Sequence, residues 1–257
     1  MTTRFAWHAL LTAVQFLTRV PVGGGMSQPG ADPRLLAASV VWFPLVGGLI
    51  GLSTGCVAWA ALQVWPPLVA VLLALVAEAV LTGAFHEDAV ADCCDAFGGG
   101  FTRDDVLRIM KDSRVGSFGA LGLGLFVSLR AAGLSHLPGE LLVATATAAG
   151  ALGRFAVLPL MASLPPIAHR EGLSKDVGAR VTGRVVAAGA VLTVPWLVAL
   201  GVQNSVGLIN GCLAAVVVVA LWSRYVMQRI GGVTGDCLGA ACYFTQVTLT
   251  LAAAAGT

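Results

Sequence analysis

Apolar residues run through this chain in long blocks, broken by short clusters of charge, glycine and proline. A bilayer-spanning helix needs about 20 consecutive apolar residues. The segment 35–77 carries no charged residue or His, too long for one span and suited to two, with Pro66-Pro67 as the break. The pattern predicts an all-α, polytopic integral membrane protein of about seven spans. The first ends at the Pro66-Pro67 break. The others cover 68–85, 116–133, 141–160, 185–200, 206–222 and 237–255. Residues 5–20 form a shorter apolar stretch holding His8, Gln15 and Arg19, read as an N-terminal interfacial or half-inserted helix ending at Pro21 and the glycines 23–25. Without an internal repeat or a second composition regime, 1–257 is expected to be one transmembrane catalytic domain.

Composition supports this pattern. Hydrophobic residues make up 57% of the 257 positions and charged residues 11%, against about 45–50% and about 25% in soluble domains. The net charge of +2 is small, and no nucleic-acid partner is expected; the lipid bilayer is. Six Cys show no C-x-x-C spacing, which argues against zinc. The Lys and Arg positions orient the map. Thirteen of 15 fall in the N-terminal region, the stretch 86–116, the loop 165–184 and the loop 223–236. The positive-inside rule makes that side cytoplasmic. Gly47, Gly51 and Gly55 form a ridge of small residues suited to close helix packing. Of the two basic residues inside spans, Arg154 needs a partner, with Glu78 one candidate and the site itself the other.

The chemistry concentrates in residues 85–95, FHEDAVADCCD. Asp88, Asp92 and Asp95 recur at i, i+4 and i+7, within about 60° of one another on a helix face. Three carboxylates on one stripe repel each other unless a cation or protons neutralise them. An all-oxygen donor set points to a hard ion, magnesium first. Glu87 lies off the stripe and is a weaker ligand; His86 is a candidate base or hydrogen-bond partner. Beyond Gly98-Gly99-Gly100, Thr102 and Asp105 have capping-box spacing. The short helix they open carries Arg108 and Lys111, with Arg114 following, as candidate phosphate clamps. Thr234-Gly235-Asp236 opens the last span on the same face as the stripe. Asp236 is a further candidate metal ligand, and the bare glycine turn would let a substrate phosphate reach backbone amides at Thr234 and Gly235.

These blocks resemble a known family. FHEDAVADCCDAF, MKDSRVGSFG and GGVTGDCLGA, together with QFLTRVPV and WFPLVGGLIG, are similar in content and order to the cobalamin synthase family, also called adenosylcobinamide-GDP ribazoletransferases. Ala89 and Ala96 stand where that family often carries Gly. The resemblance implies a magnesium-dependent bacterial or archaeal inner-membrane transferase. It would join adenosylcobinamide-GDP to α-ribazole or its 5′-phosphate and release GMP. Carried onto this chain, Asp88, Asp92 and Asp95 would hold Mg²⁺ against the pyrophosphate, and His86 or a carboxylate would take the acceptor proton. Two other classes remain as alternatives. One is a CDP-alcohol phosphotransferase, although its D-x-x-D-G-x-x-A-R spacing is missing. The other is an ion-coupled transporter, which would hold its acids near mid-membrane. Homo-oligomerisation is left open.

Overall fold

Helix breakers set the architecture. The computed structural model describes residues 3–22, 33–167 and 181–255. His169, Arg170, Glu171, Lys175, Asp176 and Arg180 of the expected polar loop lie outside them, as do Asp32 and the glycines at 23–25. The described residues form α1 (Thr3–Leu17), α2 (Pro33–Ser39), a 3-10 turn (Val40–Trp42), α3 (Phe43–Ala61), α4 (Pro67–Thr82), α5 (Phe85–Gly99), α6 (Arg103–Ile109), α7 (Ser117–Ser135), α8 (Gly139–Ser163), α9 (Gly183–Gln203), α10 (Ser205–Ile230) and α11 (Gly235–Ala255). Among them no strand forms, and the one β-type contact is an isolated bridge between Pro166 and Val233. The chain is an all-α, multi-pass membrane protein.

Among the described residues, six helical segments are long and apolar enough to cross a bilayer: Leu35–Ala61, α7, α8, α9, α10 and α11. A seventh exists only if α4 and α5 are counted together, and they meet at 93°. The expected second span at 68–85 is therefore not one helix. Alone, α4 has 16 residues, about 24 Å of rise against a hydrocarbon core of about 30 Å. It stops because Gly83 (φ 78) and Ala84 (φ 57) both enter the left-handed region. That is easy for Gly and costly for Ala. The short α1, 15 residues, falls below spanning length. It is anchored at this bend, where the Arg19 amide donates to the Leu81 carbonyl at 2.8 Å.

The middle of the bundle is α8, 83% of whose apolar window is buried, against 17% for α9 and α10. The outward faces of α9 and α10 display Val191, Val194, Val198, Ile209, Leu213 and Val216, the surface a lipid-facing helix needs. Helix α3 packs antiparallel on α8 through the glycine ridge. Gly47 faces the Gly150 carbonyl and Gly51 the Ala146 carbonyl, and a Cβ at Gly55 would stand 2.8 Å from Val143 Cα. With no hydrophobic driving force between helices in lipid, such backbone approach is a main source of association energy.

Loop contacts separate two ends. At one, Arg103 Nε donates to the Ile230 carbonyl at 2.8 Å, Arg229 Nη2 to the Gly100 carbonyl at 2.6 Å, and the Val233 amide to the Pro165 carbonyl at 2.9 Å. At the other, Asn204 Nδ2 donates to the Ala253 carbonyl at 3.0 Å, and Trp59 lies against Gly139. The Lys/Arg-rich segments around 100, 165 and 230 thus gather at one end, as the charge pattern anticipates. The expected sixth span at 206–222 runs on to Ile230. Arg224 and Arg229 are therefore helical rather than in a loop. Arg229 lies over the Phe97 and Tyr225 rings, and basic residues are favoured in a helix's last turn.

Gly51→Val should overpack the α3–α8 contact, lowering stability by about 1–3 kcal/mol or more. Gly124→Val, where an added Cβ meets nothing within 4 Å, should be tolerated. Thermal denaturation of the two detergent-solubilised variants checks the contrast.

Candidate functional site

The acidic motif is helical, as its spacing predicts, and Gly98-Gly99-Gly100 ends it. The turn at Gly83-Ala84 lays α5 against the start of α11 and against α7. Gly239 makes room for that crossing: a Cβ there would sit 2.6 Å from the Ala89 methyl. Ala89, one of the two departures from the family pattern, is thus matched by a glycine on the facing helix. Ala96, the other, is fully buried. The Cys93 and Cys237 thiols are neighbours across the same contact.

The stripe residues have separate surroundings. Asp88 is exposed, while Asp92 and Asp95 are half-buried. Asp95 accepts from the Gly116 amide at 2.6 Å and the Gly119 amide at 2.7 Å. It serves the N-terminus of α7, whose own N-cap, Gly116, has no side chain to do so. Glu87, off the stripe, lies within electrostatic range of Glu78, Arg130 and Arg154. His86 is buried, edge-on to the Phe85 ring at 5.2 Å. Asp236, in the first turn of α11, is half-buried and within electrostatic range of Cys93 on α5. The middle of α5 and the start of α11 are therefore neighbours, although Asp95 and Asp236 are 141 residues apart in sequence.

The clamp candidates lie at the rim. Arg108 is exposed and pairs with Asp105 at 3.4 Å; Lys111 is exposed. Arg114 is also exposed and grips Asp112 at 2.6 Å, holding that carboxyl down at about 2. The pair is thus intact at neutral pH and is lost only as pH falls through about 2. Arg114, Asp112 and Asp95 line one open cleft of about 450 Å³ beside Gly99 and Gly116. Asp105 and Thr102 complete the capping box that opens α6. Thr234 is buried, and its hydroxyl accepts from the Cys237 amide at 3.2 Å, a helix-capping role. Gly235, the first residue of α11, borders a small cavity with His86 and Arg154.

Among the described residues no group of three or more His, Cys, Asp or Glu side chains stands close enough to hold a metal ion. A preassembled carboxylate cage does not fit this arrangement. The donor chemistry suits a magnesium ion shared with substrate, since Mg²⁺ is commonly held by one or two carboxylates plus substrate phosphates.

The sequence reading left one arrangement unresolved. Glu78 pairs with Arg130, not Arg154. Arg130 Nη2 meets Glu78 Oε2 at 2.7 Å, Thr54 donates to the same oxygen at 2.7 Å, and the guanidinium lies 5.4 Å from the Tyr243 ring centre. Both charges are almost fully buried. Two basic residues inside spans were the visible signal; the choice between them depends on which helix faces α4.

Comparison with known proteins now bears on this geometry. A family model described as cobalamin-5-phosphate synthase matches residues 9–254. The chain belongs to the cobalamin-5-phosphate synthase family. Curated family relatives named adenosylcobinamide-GDP ribazoletransferase include one from Ralstonia pickettii, 39% identical over 91% of this chain and 90% of its own length. Another, from Bradyrhizobium diazoefficiens, is 39% identical over 96% and 93%. A third, from Chlorobium phaeobacteroides, is 38% identical over 93% and 94%. The shared name makes the family one of transferases. No solved structure matches the chain.

Asp95→Ala should cost about 1 kcal/mol of stability by uncapping α7. The loss should be the same in magnesium-free buffer and be read as a lower Tm. A Tm that falls only when magnesium is present would assign Asp95 to the metal instead.

Proposed function

We propose that the chain is an adenosylcobinamide-GDP ribazoletransferase, joining adenosylcobinamide-GDP to α-ribazole or α-ribazole 5′-phosphate with release of GMP. The observation that carries this reading is the end-to-end match to curated relatives of that name. The meeting of the acidic helix α5 with the start of α11 supports it.

In this reading a ribose hydroxyl of the acceptor attacks the cobinamide-side phosphorus. The new P–O bond joins ribazole to cobinamide, the bond to GMP breaks, and the hydroxyl proton passes to His86 or one of the carboxylates. Phosphoryl transfer asks a protein mainly for positioning and charge stabilisation. Arg114, at the mouth of the cleft that holds Asp95, is placed to meet a phosphate from solvent, with Arg108 and Lys111 behind it on the rim. Mg²⁺, bound to the pyrophosphate and to one or two of Asp88, Asp92 and Asp236, would offset charge on the phosphoryl oxygens. The Lys/Arg-rich end of the bundle carries this face, and by the positive-inside rule it looks into the cytoplasm from a bacterial inner membrane.

Membranes containing the chain should release GMP when given adenosylcobinamide-GDP, α-ribazole and Mg²⁺, and should stop on chelation. Asp88→Asn, Asp92→Asn and Asp236→Asn should each lower the rate by about 100-fold or more while the protein still inserts. Absence of GMP release by the wild type, or near-normal turnover by all three variants, would contradict the proposal.

A further inference from the structure

Beside the acidic helix lies a groove of about 350 Å³, bounded by α5, α7, α10 and α11. Among the described residues five rings line it, Phe97, Phe118, Trp222, Tyr225 and Phe244, in a chain that is only 7% aromatic. The rings brace one another. Phe97 stands edge-on to Trp222 at 5.5 Å, Trp222 stands edge-on to Phe244 at 5.2 Å, and Arg229 lies over Phe97 and Tyr225. Another groove, of about 390 Å³ between α8, α10 and α11, is lined by aliphatic and small side chains, with Phe155 its one ring among the described residues. That lining suits a flexible acyl chain. A wall of braced rings suits a rigid, flat ligand, because stacking needs planar faces on both sides.

The groove adjoins the candidate site. Phe118 lines both the groove and the cleft that holds Asp95 and Arg114. Gly98 lets its ring lie on the end of α5, since a Cβ there would stand 2.7 Å from it. Phe118 is therefore a partition, with charged groups on one side and rings on the other. A nucleotide has the same two parts, a phosphate and a flat base joined by a ribose. The lining chemistry selects the base. The Trp222 indole N–H already donates to the Cys237 carbonyl at 2.9 Å, and the Tyr225 hydroxyl already accepts from Arg229 at 2.7 Å. The other side chains lining the groove are hydrocarbon or thiol. Guanine, with donors and acceptors along one edge, would leave several of them unpaired there, at a cost in affinity. The base of α-ribazole, a dimethylbenzimidazole, has two methyl groups and one free ring nitrogen, and asks for almost no partners.

We propose that this groove is the base-binding subsite for the acceptor, taking the flat, apolar heterocycle of α-ribazole beside Phe118, with the ribose toward the cleft of Asp95 and Arg114. This rests on the transferase reading above and adds a source of specificity to it. Phe118, Leu121 and Leu125 border the groove and are each more than half exposed, so it can be altered from outside without disturbing the buried core.

The test is calorimetric titration of the full chain, in phosphate-free maltoside detergent, with α-ribazole 5′-phosphate, ribose 5-phosphate and GMP. The wild type should bind α-ribazole 5′-phosphate at least about 10-fold tighter than ribose 5-phosphate, the base supplying the difference. Leu125→Trp, which fills the groove, should weaken α-ribazole 5′-phosphate by about 10-fold or more and change GMP binding by less than about 2-fold. Phe118→Leu, which keeps bulk and loses the ring, should weaken α-ribazole 5′-phosphate about 5-fold. The inference is overturned if the wild type does not favour α-ribazole 5′-phosphate over ribose 5-phosphate, or if Leu125→Trp binds it within about 2-fold of wild type. It is also overturned if GMP binding is lost in its place, which would give the groove to the donor's guanine, or if blocking the groove only displaces co-purified phospholipid. Should Leu125→Trp fail to fold, an unchanged affinity for α-ribazole 5′-phosphate in Phe118→Leu overturns it alone. GMP release by the wild type judges the transferase reading separately. Turnover with acceptor binding indifferent to the groove sinks only the subsite, and groove-dependent binding without turnover sinks only the transferase reading.

Discussion

The right-angled break at Gly83-Ala84 is the constraint on which the rest of the site depends. A straight continuation of α4 would carry the acidic motif along the bundle axis. The two left-handed residues instead turn α5 by 93° across the start of α11. A non-glycine residue in that region costs about 1–2 kcal/mol, so the surroundings must hold Ala84 there. Three contacts do so: Arg19 closes on Gly83, Ala89 seats against Gly239, and Asp95 binds the first amides of α7. Each uses a glycine to bring backbone close to a neighbour.

Charge inside the bundle follows the same economy. The Glu78–Arg130 pair is enclosed by Thr54 and Tyr243, so its hydrogen-bonding capacity is largely met where α3, α4, α7 and α11 approach. Such a pair adds little net stability but fixes which helices may be neighbours. Arg154 is the exception: among the described residues no carboxylate is hydrogen-bonded to it, and it lies beside the acidic helix rather than away from it.

Much of this was legible in the sequence because membrane burial writes its rules plainly. Uncharged runs gave the spans, the Lys/Arg asymmetry gave the two ends, and Thr102 with Asp105 gave a cap whose two bonds both form. The glycine ridge at 47, 51 and 55 was readable because small residues at that spacing have one common use. Pairing across helices was not legible. Glu78 had two possible arginines, and only the placement of α7 against α4 selects Arg130. The bend escaped because Gly83 alone does not mark one, and Ala84 has no reason of its own to adopt φ 57. The stripe of Asp88, Asp92 and Asp95 shares a helix face as read, yet neighbouring helices divide it, giving Asp95 to α7.

The central claim is that α5 and the start of α11 form one substrate-binding site. Its most direct test is a cysteine pair at 92 and 236 in a chain whose native cysteines are replaced, oxidised in membranes with and without adenosylcobinamide-GDP. The account predicts a rapid crosslink that the substrate slows, and no crosslink for a control pair at 92 and 204. Equal or absent crosslinking of the two pairs, or a rate indifferent to substrate, would contradict it.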